Sequence, residues 1–156
     1  MTGVVERLGE LGLQLPEVVP PVAAYIPAKV HADLVYTAGQ LPFISGALPA
    51  TGKVGEGDGL VSASDAYGYA RQSALNAIAA AASAVGGADR LTGVLKVTGF
   101  VASVPEFTGQ PGVINGASEL LAQVFGEAGR HARSAVGVPV LPLDSPVEVE
   151  VVFTFA

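Results

Sequence analysis

The sequence predicts an α+β domain: a mixed β-sheet with two helices packed on one of its faces. Three observations carry this expectation. Two segments, near residues 62–85 and 113–127, repeat apolar residues at three- and four-residue steps, the period of a helix buried along one side. Between and around them lie apolar runs of strand length. Their order, β-β-α-β-α-β-β with no internal repeat or linker, argues for one domain with helices layered on a mixed sheet.

Each element has a local reason. Residues 4–11 form a short amphipathic helix that must stop before Pro16, and Pro16 to Pro21 is extended. Val22–Ile26 and Leu34–Thr37 read as two strands. Ser45 to Gly59 is rich in Gly and Pro and reads as loop or irregular hairpin. Ser62 or Ser64 caps the first long helix, Asp65 suits its positive first turn, and Gly86-Gly87 ends it. Its stripe is Tyr67, Ala70, Ala74, Ile78, Ala81 and Val85, with Asp65, Gln72, Asn76 and Ser83 opposite. Leu91 to Ser103 is a long strand in which Gly99 marks a bulge or a close backbone approach. A second helix, Val113 to Glu127, buries Ile114, Ala117, Leu121 and Val124 and stops by Gly129. Ala132–Val140 and Val147–Phe155 are the last two strands.

Composition narrows the function. The 156 residues are 50% hydrophobic and 14% charged, and mean hydropathy is +0.50, yet no apolar run reaches the ~18–20 residues of a membrane helix. The surplus apolar surface therefore implies a subunit interface. Cysteine is absent, which excludes disulfides, a thiolate nucleophile and thiolate metal ligands. The first ten residues lack the layout of a secretion signal, so a cytoplasmic location is expected. Net charge is −6 with no basic stripe, so nucleic acid is not an expected partner.

Chemistry concentrates between Arg133 and Glu150. An arginine opens an apolar run, and after a Pro-bounded turn two glutamates alternate with valines. Arginine's planar fork matches a carboxylate, and a glutamate in apolar surroundings can hold a water. Pairing of the two strands would join these into one anion-plus-water site. A surface ion pair is the ordinary role for such an arginine. The small residues Ser134, Ala135 and Gly137 would admit a ligand to the backbone. Glu148 and Glu150 point to one face, ~6.6–7 Å apart, but the scarcity of aromatic platforms argues against a glycosidase, and one of the pair reads as solvent-facing. His31 and His131 form no metal set; His131, two residues before Arg133, either tunes the site or is structural. No nucleophile elbow or phosphate loop is present. Tyr25, and the turn after Thr37 containing Gly39 and Gln40, complete the candidates.

These segments, in order, resemble the Rid (YjgF) family of reactive-intermediate deaminases, also called endoribonuclease L-PSP. The resemblance runs from Tyr25 through Ala38-Gly39-Gln40-Leu41-Pro42, Ala70 to Asn76, Val97 to Val101, Asn115 and Arg133 to Val138, ending at Val147 to Glu150. It implies one chorismate mutase-like domain over residues 1–156, with residues 1–21 as an N-terminal extension, and a homotrimer with ligand clefts between subunits. It also implies hydrolysis of small 2-imino acids or enamines to 2-oxo acids and ammonia, without cofactor or metal. Arg133 would grip the substrate carboxylate and Glu148 would position water, while Tyr25, Ala38, Gly39, Asn115 and Ala135 would line the cleft. Where this chain has Ala38 and Ala135 the family commonly has Ser and often Cys. A non-catalytic binder of 2-oxo acids is thus the alternative, and an endoribonuclease a third reading.

Overall fold

The computed structural model describes residues 2–18 and 23–156. Helix α1 (Val4–Glu10) is followed by strands β1 (Ala28–His31) and β2 (Leu34–Thr37), helix α2 (Ala63–Val85) and strand β3 (Leu91–Ala102). Helix α3 (Gln110–Phe125), strand β4 (Ala132–Val138) and strand β5 (Val147–Phe155) complete the chain. The sheet order is β1-β2-β5-β3-β4, with β3 and β4 parallel and the other neighbours antiparallel. The mixed sheet carrying two long helices is the architecture that the sequence predicts.

The long helices begin and end for the expected reasons, with one shift. The Ser62 hydroxyl accepts from the Asp65 amide at 3.1 Å, and Gly86 closes α2 in the left-handed region at φ 87°, where an L side chain would be strained. Helix α3 starts three residues earlier than expected, with Pro111 in its first turn, and ends at Gly126 rather than Gly129. All four residues of its expected stripe are buried.

Three expectations need correction. The first strand is Ala28–His31, not Val22–Ile26; Ala23–Tyr25 form a bend, and Val22 lies outside the described residues, as do Val19 to Pro21. A tight turn at Ala32 and Asp33 joins β1 to β2, and the pairing it imposes outweighs the apolar run before it. Asn76 is not on a solvent face. It is buried, and its Nδ2 donates to the carbonyls of Leu41 and Phe43 at 3.0 and 3.1 Å. Finally, β4 and β5 do not pair, because β3 lies between them.

Alternation along β5 sets the two sides of the sheet. Val147, Val149, Val151 and Phe153 are buried against the helices, as are Val97 and Val101 of β3. Gly99 marks a close approach rather than a bulge: a Cβ there would sit 2.5 Å from Ile114 of α3. The opposite side carries Glu148, Glu150, Phe100, Val136, Tyr36 and Val152, which are neighbours in register. Tyr36 and Val136 are each 44% exposed there.

Replacing Asn76 by Ala removes both hydrogen bonds and leaves two carbonyls near the core without their donor. Urea unfolding is expected to lose about 2 kcal/mol. A loss below about 0.5 kcal/mol would show that this amide does not hold the 41–43 segment.

Candidate functional site

Arg133 shares the helix-facing side of the sheet, since it is level with Val97 of β3, which in turn pairs with the buried Val151. Its guanidinium lies along α3. Nη1 donates to Asn115 Oδ1 at 2.8 Å and to Ser118 Oγ at 3.2 Å, and Nη2 donates to the Pro111 carbonyl at 3.3 Å. All three acceptors are neutral. The ion pairs among the described residues are Arg7–Glu10 and Arg130–Glu127, so Arg133 is not the surface ion pair that such a residue ordinarily makes.

A guanidinium has one N–H on Nε and two on each terminal nitrogen. The contacts from α3 occupy Nη1 and one hydrogen of Nη2. Among the described residues Nε and the other Nη2 hydrogen have no acceptor. Nε and Nη2 form the side-on edge of the fork, an edge that fits a planar carboxylate.

Glu148 belongs to the other side of the sheet, level with Phe100. It is half-buried against the chain that follows β2. Gln40 and Val149 exchange backbone hydrogen bonds at 2.8 and 3.0 Å, which lays Gly39 on the Glu148 carboxyl. A Cβ on Gly39 would sit 2.7 Å from Glu148 Cδ, so only glycine fits without displacing the acid. Burial raises the pKa of Glu148, and the negative charge of Glu150 raises it further. Glu150 is itself exposed, the solvent-facing member of the pair.

The expected site residues thus fall into two groups. Arg133 and Asn115 lie together on one side, and Ala135 shares that side, opposite Gly99 in register. Glu148 and Gly39 lie together on the other. Ala38 adjoins them, its amide bonded to the Pro27 carbonyl and its carbonyl to the Gln40 side chain. Tyr25 is 57% exposed in its bend. An open groove of about 630 Å³ between Glu56, Leu60, Val104, Glu106 and Phe107 contains none of these residues. No group of three or more metal-ligating side chains occurs among the described residues, and no helix there is long and apolar enough to cross a membrane.

Two contributors escaped the sequence reading. Ser118 stands one turn after Asn115 on α3, and that polar pair at a three-residue step on an apolar helix was the available signal. Asn76, through Leu41 and Phe43, steadies the segment that bears Gly39.

Fold and geometry together define an α+β domain with a split polar site, an uncompensated arginine on one side of the sheet and a half-buried glutamate on the other. Residues 5–156 match the family described as "YjgF/chorismate mutase-like, putative endoribonuclease", and the chain belongs to this YjgF (Rid) family. Protein TCP17 of Trypanosoma cruzi is 38% identical over 150 residues, covering 94% of this chain and 91% of that one. The crystal structure of Atu1372 from Agrobacterium tumefaciens, a protein of unknown function, is 41% identical with a TM-score of 0.86, covering 98% and 94% of the two chains. A Shewanella oneidensis structure, named a "putative endoribonuclease", is 33% identical with a TM-score of 0.91, covering 98% and 99%.

The raised pKa of Glu148 has a defined sign. Its carboxyl holds a proton more tightly folded than unfolded, so stability falls as pH rises from the ordinary carboxylate range through the folded pKa. Glu148→Gln is therefore expected to melt higher than wild type at neutral pH, with the difference shrinking in acid. A lower melting temperature at neutral pH would mean that the ionised carboxylate is stabilised in the fold.

Proposed function

We propose that the protein is a cofactor-free hydrolytic deaminase of small 2-imino acids, working as a homotrimer whose clefts combine residues of neighbouring subunits. The observation that carries the reading is the Arg133 guanidinium, cradled by neutral acceptors with its side-on edge open. A substrate carboxylate on that edge would be fixed in two parallel hydrogen bonds, which also fixes the plane of the adjacent imine carbon.

The reaction asks little more of the protein. A protonated imine is already electrophilic, so water must be held against its carbon and relieved of a proton. Glu148, its pKa raised by burial, is suited to take that proton and return it to the amine nitrogen. A C–O bond forms to give a carbinolamine; the C–N bond then breaks, releasing ammonia and leaving a 2-oxo acid.

Arg133 and Glu148 lie on opposite sides of the sheet within one chain. A cleft that uses both would take Arg133 and Asn115 from one subunit and Glu148, Gly39 and Tyr25 from the next. The side of the sheet that carries Tyr36, Phe100, Val136 and Val152 along with Glu148 is the surface that such packing would cover. Ala38 and Ala135 favour one second reading, a carboxylate-binding protein without turnover, because neither offers a hydroxyl or thiol to the ligand.

With 2-iminopropanoate or 2-iminobutanoate generated enzymatically, the protein should speed imine loss, and Arg133→Ala should lower kcat/KM by at least about 100-fold. Tight 2-oxo acid binding without faster imine loss would select the binding protein instead. Light scattering should report about three times the 15.6 kDa chain mass. A monomer at micromolar concentration would contradict the shared cleft.

A further inference from the structure

His131 and Ser118 form a chain of hydrogen bonds that ends on Arg133, and with a neutral imidazole the chemistry of its ends fixes every direction in it. His131 Nδ1 lies 2.6 Å from the carbonyl of Gly129, and its Nε2 lies 2.9 Å from Ser118 Oγ. Ser118 Oγ is in turn 3.2 Å from Arg133 Nη1. A carbonyl can only accept, so the imidazole hydrogen sits on Nδ1. A guanidinium can only donate, so Ser118 accepts from Arg133. The hydrogen of Ser118 then goes to His131 Nε2, which in this neutral tautomer is an acceptor.

We propose that His131 and Ser118 are positioning residues for the anion site, a one-way relay that holds Nη1 of Arg133 against α3 and presents the Nε and Nη2 edge to the substrate carboxylate. The relay rests on the reading of Arg133 as the carboxylate clamp. Without His131 as acceptor, nothing would fix the rotation of the Ser118 hydroxyl, and its lone pairs would no longer be held toward the arginine's N–H. The guanidinium would then rotate about its long side chain, and the fork would lose its aim. Asn115 shares the same nitrogen, and its oxygen alone would leave the second Nη1 hydrogen unsatisfied. Gly129 serves as the fixed end of the relay because it is buried in a short helical turn between α3 and β4.

The role predicts a pattern that simple loss of packing would not give. His131→Ala and Ser118→Ala should each raise KM for the imino acid, and Kd for pyruvate by calorimetry, about tenfold, with kcat within about twofold of wild type. His131→Gln places an amide oxygen where Nε2 stood and should recover most of that loss. In wild type, nitrogen-15 NMR of neutral His131 should place the hydrogen on Nδ1, a measurement that needs no variant to fold. Unchanged Kd in both alanine variants, or a hydrogen on Nε2, would overturn the relay. Loss of pyruvate binding in Arg133→Ala alone would leave the carboxylate clamp standing without it. Absence of pyruvate binding by wild type would overturn both.

Discussion

The constraint on which the site depends is the need to hold a permanent cation at a sheet edge without cancelling its charge. An arginine paired with a carboxylate has little attraction left for an anion. Here α3 supplies an amide oxygen, a hydroxyl and a main-chain carbonyl, which orient the guanidinium but leave its charge intact. Such an arrangement needs α3 close to β3 and β4, and Gly99 permits it by leaving room for Ile114. The same packing that builds the core therefore aims the arginine.

Strand alternation then separates the chemistry. Because β3 runs between β4 and β5, Arg133 and Glu148 stand two strands apart and face opposite ways. Each is served by a different part of the chain: Arg133 by α3, and Glu148 by the segment after β2, which Asn76 anchors to α2. The half-buried acid keeps a raised pKa at a cost in stability, a common mark of a group kept for function. On the same side as that acid, Tyr36 and Val136 are exposed apolar residues, the surface that the proposed subunit packing would cover.

Much of this was legible in the residues, and what was not has physical causes. Ser62 and Gly86 act within one turn of a helix end, so α2 could be bounded from local chemistry. Val147 to Phe155 alternates cleanly enough to give β5 its true limits. Strand order is different, since the insertion of β3 between β4 and β5 is settled by long-range packing that no local pattern encodes. The misplaced first strand has a similar origin, as the tight turn at Ala32 and Asp33 selects Ala28–His31 as the partner of β2. Asn76 lies opposite the apolar stripe and is nonetheless buried, because α2 is covered by more than the sheet, with residues 41–43 also lying against it. Arg133 and Glu148 stand out as candidates by type and setting, but their opposite facing and the Ser118 contact required the fold.

If one cleft draws Arg133 and Glu148 from different subunits, subunit complementation will restore activity. Arg133→Ala and Glu148→Gln chains, each inactive alone, would be unfolded together, reassembled at equal amounts and assayed for imine hydrolysis. Random assortment into trimers places an intact Arg133 beside an intact Glu148 of the neighbour in about one quarter of clefts, so about one quarter of wild-type activity is expected. Mixed trimers that form, as verified by mass, yet stay inactive would rule out a cleft shared between subunits in this way.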